Sequence, residues 1–303
     1  MACEFSVYLP PTVPNAVAVG EAALDELEPL EELLSVYRGS SAITYVNENA
    51  ADRPVRVDDR LFRLLERCAR LSEETGGAFD AASGALVRAW GFLHGPKRVP
   101  TESQRRAALA CCGMRHVELD AHERTVRFRV PGVELNFGAI GKGFAIDQAI
   151  GRMREEFGVG CALMQGGRSS LYGLGSPSAD GRGWLIGIQN PYDPTRNVAT
   201  VNLKDRALGT SGAADRHFEW EGRRYGHVLD PRTGRPADEL ASVSVVADDA
   251  ATADALSTAL FVMGLDKARD FCKDHARIGA VLVLRPELCG GSRESPRTVT
   301  LNL

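Results

Sequence analysis

Three short stretches of this 303-residue sequence carry side chains able to do phosphate, metal or proton-transfer chemistry. Lys142 follows the glycine-rich stretch FGAIG, and His227 stands in YGHVLDPRTGRP. Asp254 and Thr258 lie four residues apart in ADALSTALF. A cation at a helix N-terminus can bind an anion, an imidazole can act as a base near neutral pH, and paired oxygen atoms can bind a hard metal ion. Each of them also has a structural interpretation, so the residue types alone leave the three roles open.

The segment LNFGAIGKGFAIDQAI, residues 135–150, predicts a strand, a tight turn and a helix. A helix N-terminus favours anions because its first N–H groups have no helical partner, and Lys142 would add a positive charge there. The segment is not a Walker A loop, since Asn136 replaces its first glycine and no Ser or Thr follows Lys142. It is therefore either a phosphate-binding turn or a plain connection between two elements.

His227 comes just before a loop that two prolines, a glycine and an aspartate make rigid. A histidine held in such a place can act as a general base near neutral pH. The alternative is a strand-end histidine that is hydrogen-bonded to the loop and has a structural role only.

Asp254 and Thr258 share one face of a predicted helix because residues four apart are neighbours on a helix surface. Their hard oxygen atoms suit magnesium. The alternative is a solvated helix face or a local hydrogen bond. In either case we expect the carboxylate of Asp254 to be exposed and to contribute little to stability.

The elements that would position these residues follow from hydrophobic spacing and end signals. The predicted helices are residues 15–34 with a kink at Pro29, one capped at Asp58 and Asp59 that ends near Gly76-Gly77, one capped at Thr101, residues 142–157, and one ending at Gly264. Hairpins are predicted at HVELDAHERTVRFRV and around Glu221-Gly222, and further strands at CALMQ, WLIGIQ, VATVNL, ASVSVV and the C-terminus. TGGAFDAASGALVRAWGF and ALGTSGAADRHF are predicted to be small-residue turns. The order predicts an α+β fold, a single intertwined domain over residues 1–303 with an antiparallel or mixed sheet and flanking helices.

Composition narrows the class of protein. Hydrophobic residues make up 44% and charged residues 25% of the chain, as in folded globular proteins. The net charge of -4 gives no broad attraction for a nucleic acid, so we expect none as a partner.

Seven cysteines without a C-x-x-C pair argue against a disulfide framework or a zinc site, and Cys68 is expected in the core. No run of ~20 apolar residues occurs. We expect a cytoplasmic location for the chain as given, and a periplasmic or membrane-anchored one if a leader has been removed.

Taken together, these segments resemble the ApbE family, the FAD:protein FMN transferases. The resemblance rests on MACEFSV, LLSVYRGSSAITYVN, TGGAFDAASGALVRAWGF, LNFGAIGKGFAID, MQGG, ALGTSG, HVLDPRTGRP and ADALSTALFVMG, in family order. It implies a mixed α+β fold and an enzyme that uses FAD as substrate and Mg²⁺ as cofactor. The implied reaction splits the FAD pyrophosphate, attaches FMN to a threonine of an acceptor protein in an electron-transfer complex, and releases AMP.

The resemblance also implies roles for particular residues. Met1 and Tyr37 would line the flavin pocket, with the Tyr37 ring against the isoalloxazine. The other FAD contacts would come from Ala78, Phe79, Asp80, Asn136, Lys142 and the backbone of Val228. His227 would be the catalytic base that activates the acceptor threonine. The Mg²⁺ ligands would be the Ala139 carbonyl, the Asp254 carboxylate and the Thr258 hydroxyl.

The sequence departs from the family pattern at four places. Met1-Ala2-Cys3 replaces Met-Gly-Thr, Asn136 replaces an aspartate, Arg168 replaces an acidic residue, and Ala213-Ala214 replaces Asp-Tyr. Two alternatives to transfer therefore stay open, an FAD pyrophosphatase that gives FMN and AMP, and a non-catalytic FAD-binding protein. Nothing in the sequence specifies an oligomeric state.

Overall fold

The computed structural model describes residues 3–93, 95–212, 217–289 and 292–303. The chain forms two compact units. Unit 1 comprises the described residues of Met1–Leu30, Ile140–Ala214 and Glu239–Leu303, and unit 2 those of Glu31–Ala139 and Asp215–Asp238. Each unit is assembled from stretches that are far apart in the sequence. The predicted α+β class is confirmed, and the assignment of residues 1–303 to one domain stays a prediction.

The helices of the described residues begin near the N-terminus and recur through both units. They are α1 (Ala16–Asp25), α2 (Leu27–Leu34), α3 (Ala42–Asn49), α4 (Asp59–Glu74), α5 (Gly84–Ala89), α6 (Glu102–Ala110), α7 (Gly141–Phe157), α8 (Ala250–Asp274) and α9 (Pro286–Cys289). Across the described ranges, no helix is long and apolar enough to span a membrane.

The strands lie mostly in the second half of the chain. They are β1 (Phe5–Tyr8), β2 (Val55–Arg56), β3 (Val117–Asp120), β4 (Thr125–Phe128), β5 (Ala162–Gly166), β6 (Ser170–Leu174), β7 (Trp184–Asn190), β8 (Asp193–Leu203), β9 (Arg206–Gly212), β10 (His217–Trp220), β11 (Arg223–Gly226), β12 (Leu229–Asp230), β13 (Arg235–Pro236), β14 (Leu240–Ala247), β15 (Gly279–Leu284) and β16 (Thr298–Leu301).

Unit 1 is built on a seven-stranded sheet in the order β1-β5-β6-β9-β14-β15-β16. Every neighbouring pair in it is antiparallel. Alternate residues of its central strands face two different apolar clusters, one with α1, α7 and α8 and the other with the β7–β8 hairpin. Both faces are covered, and for this reason every residue of β14 is buried although the sheet is antiparallel.

The start of α8 is fixed against α7 and β9 by small residues and by one carboxylate. Gly143 of α7 faces the Ala250 carbonyl and Gly209 of β9 faces the Ala253 backbone, so a Cβ at either position would collide with α8. The side chain of Asp147 accepts the N–H groups of Ala250 at 2.7 Å and of Ala251 at 2.9 Å. These contacts set the position of the helix face that carries Asp254 and Thr258.

Unit 2 contains the three-stranded sheet β2-β4-β3 and two separate two-stranded ladders. The predicted hairpin turn at Glu221-Gly222 joins β10 to β11, and both residues have positive φ (50° and 73°), as a type I′ turn requires. β12 and β13 close the DPRTGRP loop by pairing Leu229 with Pro236 and Asp230 with Arg235. The loop that follows His227 is therefore ordered by its own ladder.

Local end signals predicted several boundaries correctly. Asp58 caps α4 by accepting the Arg60 N–H, and Thr101 forms a capping box with Gln104 at the start of α6. The kink predicted at Pro29 was wrong. The helix instead breaks between α1 and α2 at Glu26, and Pro29 lies in the first turn of α2, where its missing N–H removes no helical bond.

Two further predictions are corrected in unit 1. Gly264 leaves the helical conformation (φ 77°), but α8 resumes after it because the Glu239 carboxylate accepts the Leu265 N–H at 2.8 Å and caps the second part. The ALGTSG part of a predicted turn is strand β9, in the middle of the sheet. Its small residues reflect the close approach of α8 at Gly209 rather than a turn.

We predict that Asp147→Ala lowers the free energy of unfolding by about 1–3 kcal/mol, because two N–H groups of the α8 N-terminus lose a charged acceptor. Urea denaturation followed by circular dichroism measures the change. Asp270→Ala is the control, since this exposed carboxylate of α8 forms an ion pair with Lys273 three residues away, an interaction of little energy. Equal losses in the two variants would contradict the capping role of Asp147.

Candidate active site

A buried carboxylate is the electrostatic centre of unit 1. Asp254 is 2% exposed, and the Lys142 ammonium lies 3.2 Å from each of its oxygens. Ser170 donates its hydroxyl to Oδ1 at 3.1 Å, and the Gly143 N–H donates to Oδ2 at 3.3 Å. Gly143 lies in the first turn of α7. The helix N-terminus therefore already has one negatively charged group beside it, the Asp254 carboxylate of the protein itself.

The expectation that Asp254 is exposed on a solvated helix face was wrong. α8 lies on the sheet, and its Asp254 side points between α7 and β6, where glycines allow the backbones to approach closely. A carboxylate can be buried there because a cation and two hydrogen-bond donors replace its water. Asp254 therefore contributes to the fold as well as to any chemistry.

Thr258, one turn after Asp254, belongs to a cluster of hydroxyl groups. Its Oγ1 lies 2.9 Å from the Ser211 Oγ of β9, which in turn lies 2.8 Å from the Ser257 Oγ. Ser257 is fully buried and donates to the Asp254 carbonyl oxygen at 2.8 Å. Thr258 is half-buried, whereas Asp254 and Ser257 are buried.

These donors fit a hard divalent cation. A buried carboxylate and the hydroxyl of a half-buried threonine, one helical turn apart, supply the kind of oxygen ligands that Mg²⁺ binds. In the part of the chain that the structure describes, no cluster of three His, Cys, Asp or Glu side chains forms a ready metal cage. A cation here would therefore need oxygens from its substrate, as Mg²⁺ sites on phosphates commonly do. Ala139, the third predicted ligand, lies in unit 2.

In unit 2, Asp80 connects three parts of the local fold. Its Oδ2 accepts the Ser72 hydroxyl at 2.8 Å and the Met114 N–H at 3.0 Å, and its Oδ1 accepts the Ala82 N–H at 2.8 Å. The preceding residues, Ala78 and Phe79, have buried side chains. The contacts of these three residues with FAD stay a prediction, and the structure adds a positioning role for Asp80.

Asn136 shapes the glycine-rich turn that precedes α7. Its Oδ1 accepts the Gly138 N–H at 2.8 Å, and the preceding Leu135 is held on both backbone groups by the Asn47 amide, at 2.8 and 3.0 Å. An Asx turn of this kind needs only an acceptor oxygen. Asparagine can thus replace the family aspartate without loss of the turn, and the predicted FAD contact of Asn136 stays a prediction.

His227 and Val228 link β11 to β12. The His227 ring meets Phe92 edge to face at 6.4 Å between ring centroids, and the Val228 carbonyl accepts the Ala237 N–H at 2.9 Å. The loop beyond them is held by Asp230, which accepts from the backbone and side chain of Arg232 at 2.8–3.0 Å. His227 therefore lies at the end of a strand that is followed by an ordered loop, and its role as a base stays a prediction.

The remaining predicted positions have no part in the hydrogen bonds described above. Tyr37 is 60% exposed, and its contact with the isoalloxazine stays a prediction. Arg168, which reverses a charge of the family pattern, donates to the Gln189 side chain at 2.6 Å. Met1 and the Ala213-Ala214 departure lie outside the described residues.

The buried cysteines are poor nucleophiles. Burial raises the pKa of the Cys68 thiol, that of Cys112 to about 12 and that of Cys272 to about 11. A thiol with such a pKa carries almost no thiolate at neutral pH. Cys68 is part of the core, as predicted.

Sequence reasoning missed the serines around Asp254. Ser170 is 84 residues from its partner Asp254, and Ser211 is 47 residues from Thr258, so no local spacing relates them. The only signal for Ser211 is its place in the ALGTSG segment, whose small residues predict a turn. A strand prediction there would have placed alternate residues on opposite faces and so separated Ser211 from Thr210.

The fold and this site define an α+β protein with a buried carboxylate that is paired with a lysine at a helix N-terminus. Comparison with known proteins identifies its family. The sequence pattern of the ApbE family matches residues 1–282, and this chain belongs to that family. It is 34% identical to the FAD:protein FMN transferase of Treponema pallidum (strain Nichols), over 93% of this chain and 81% of the relative. The Escherichia coli (strain K12) FAD:protein FMN transferase is 31% identical, over 86% and 76%. The crystal structure of Pseudomonas stutzeri flavinyl transferase ApbE, apo form, superposes with a TM-score of 0.84 at 30% identity, covering 98% of this chain and 90% of that one.

We predict that Asp254→Ala lowers the free energy of unfolding by about 3 kcal/mol, because the Lys142 ammonium and the Ser170 hydroxyl lose their buried acceptor. Asp254→Asn keeps one acceptor oxygen and should lose less. Chemical denaturation measures both. Asp266→Ala, whose side chain is 92% exposed on the same helix, is the control and should stay within about 0.5 kcal/mol of the parent. A fully stable Asp254→Ala protein would contradict the structural role of this carboxylate.

Proposed function

We propose that this protein is an FAD:protein FMN transferase that moves FMN from FAD to a threonine of an electron-transfer protein and releases AMP. The observation that carries the proposal is the pairing of Lys142 with the buried Asp254 at the N-terminus of α7, in a chain of the ApbE family. The relatives named above bear the same activity in their names. The acceptor threonine and the metal are finer assignments, which rest on the chemistry of the residues below.

The pyrophosphate of FAD would bind at the N-terminus of α7. Lys142 is the second residue of that helix, and its flexible stem lets the ammonium reach either Asp254 or a phosphate oxygen. Ile140, the N-cap residue just before α7, has no side chain that caps the helix, so a bound anion would not have to displace a side-chain cap. Lys142 and the helix dipole would then bind the diphosphate in preference to an uncharged flavin.

The divalent cation would be held by the Asp254 carboxylate, the Thr258 hydroxyl and the Ala139 carbonyl. When bound, Mg²⁺ neutralises the negative charge that develops on the pyrophosphate as the bond to AMP breaks. Ser170 and the Gly143 N–H keep the Asp254 carboxylate in one orientation, because each donates to a different oxygen. The cation assignment is thus supported by donors that are already positioned.

His227 would take the proton from the hydroxyl of the acceptor threonine. The threonine Oγ then forms a P–O bond with the FMN phosphorus, the pyrophosphate P–O bond breaks, and AMP leaves with the electron pair. The rigid DPRTGRP loop holds the strand end that carries His227. Such a positioned base suits a reaction whose catalysis is mainly orientation and electrostatics.

The proposed function is tested by incubating the protein with FAD, MgCl₂ and a threonine-containing acceptor peptide, and then measuring masses. The matched peptide has alanine in place of threonine. An FMN adduct on the threonine peptide alone supports the transferase. Free FMN and AMP without an adduct would favour the pyrophosphatase alternative, and unchanged FAD bound to the protein would favour a binding protein without turnover.

Lys142→Met should weaken binding of FAD far more than binding of riboflavin, because only FAD presents a diphosphate to this cation. Loss of one charge-assisted contact corresponds to about 1.5–3 kcal/mol, or roughly 10- to 150-fold in affinity. Calorimetry with each ligand measures the difference. Lys267→Met, at an exposed position of α8, should change neither affinity. Equal weakening of both ligands would remove Lys142 from pyrophosphate recognition.

His227→Ala should keep the affinity for FAD and lower the rate of FMN transfer by ~10²–10⁴-fold, the range for loss of a positioned base. The rate is followed by mass spectrometry of the acceptor and the affinity by calorimetry. His122→Ala is the control, since its side chain is 91% exposed in the β3–β4 turn. If His227 only holds the DPRTGRP loop in place, the His227→Ala variant should instead show both lower thermal stability and weaker FAD binding. An FAD-binding His227→Ala protein with the parent rate would exclude His227 as the base.

A further inference from the structure

The hydroxyl groups of Thr258, Ser211 and Ser257 form a chain of hydrogen bonds, called the hydroxyl relay below. The hydrogen-bond partners fix the direction in which each hydroxyl donates. Thr258 Oγ1 lies 2.9 Å from Ser211 Oγ, and Ser211 Oγ lies 2.8 Å from Ser257 Oγ. The distances alone leave the donor of each pair open. The far end settles it, because Ser257 Oγ lies 2.8 Å from the Asp254 carbonyl oxygen, which can only accept.

Each hydroxyl has one proton, and this fixes the other two bonds in turn. Ser257 gives its proton to the Asp254 carbonyl, so it must accept from Ser211. Ser211 has then used its own proton and must accept from Thr258. Thr258 is left as the first donor of the chain, with its proton directed at β9 and both lone pairs of Oγ1 unused by the relay.

We infer that Ser211 and Ser257 are positioning residues for the metal site, which turn the Thr258 proton away from the cation and leave its lone pairs to bind it. The inference rests on the proposed function, since it assigns a task to residues behind the proposed Mg²⁺ ligands. A threonine hydroxyl that can point its proton at a cation must reorient before it binds. The relay removes that cost before the ion arrives.

A comparison of Ser257 with Thr258, its neighbour on α8, shows how Ser211 changes the direction of the Thr258 hydroxyl. In a helix, Ser and Thr hydroxyls commonly bond back to a carbonyl three or four residues earlier, and Ser257 does so at the Asp254 carbonyl. Thr258 directs its hydroxyl to Ser211 instead. The relay also ends on the backbone of Asp254, so it connects the two proposed ligands of α8 through one set of hydrogen bonds.

The inference is tested by titrating the protein with Mn²⁺ in the presence of FAD and without acceptor, with free Mn²⁺ measured by electron paramagnetic resonance. Ser211→Ala should raise the Mn²⁺ dissociation constant by about 10- to 100-fold, the usual effect of a residue that supports a metal ligand. Ser211→Thr keeps the hydroxyl and should restore the parent value. FAD affinity measured without divalent cation should be the same in all variants.

Two further variants separate the direction of the relay from simple packing. Ser257→Ala leaves Ser211 in place but frees its proton to point at Thr258, so Mn²⁺ should bind more weakly than to the parent. Ser244→Ala is the matched control. It removes the Ser244 hydroxyl of β14, which lies 2.8 Å from the Thr210 hydroxyl next to Ser211 on β9, and should leave Mn²⁺ affinity unchanged.

The outcomes are distinguishable. Parent-like Mn²⁺ binding by Ser211→Ala, or an equal loss in Ser244→Ala, overturns the relay while the proposed metal site stands. Absence of saturable Mn²⁺ binding by the parent protein overturns the metal site of the proposed function and the relay with it. A loss in Ser211→Ala with rescue by Ser211→Thr and no loss in Ser244→Ala supports the inference.

Discussion

The ion pair between Asp254 and Lys142 is the interaction on which the rest of unit 1 depends. A carboxylate that is 2% exposed has given up its water, and the fold must return equivalent contacts to it. The ammonium of α7, the hydroxyl of β6 and the N–H of Gly143 do so from three separate elements. Those elements must therefore meet at one point, and the sheet and both helices are arranged so that they do.

Close backbone approach makes this arrangement possible. Gly143 and Gly209 bring α8 against α7 and β9 at distances that exclude a Cβ. Asp147 then fixes the first turn of α8 through two N–H groups. The segment GKGFAID thus supplies a lysine, a close-contact glycine and a helix-capping aspartate within one stretch of α7. Its glycines are explained by packing as well as by the anion that a glycine-rich turn suggests.

The sequence predicted those features whose causes are local. The caps at Asp58 and Thr101 and the turn at Glu221-Gly222 depend on residues within a few positions of one another, and the structure confirms them. The burial of Asp254 could not be predicted in this way, since its cation lies 112 residues earlier in the chain. The family resemblance identified the candidate residues but gave no reason for their environment.

A buried carboxylate that is already paired constrains how a divalent cation can bind. Lys142, Ser170 and Gly143 place two donors on each oxygen of Asp254, which fills the usual lone-pair directions. Ser170 and Gly143 belong to fixed backbone elements, whereas Lys142 has a flexible stem. A cation that binds Asp254 must therefore take the place of the ammonium. The displaced lysine would stay at the α7 N-terminus, where the diphosphate of FAD would bind. Lys142 would then exchange the Asp254 carboxylate for the diphosphate, so binding of the cation and binding of FAD would favour each other.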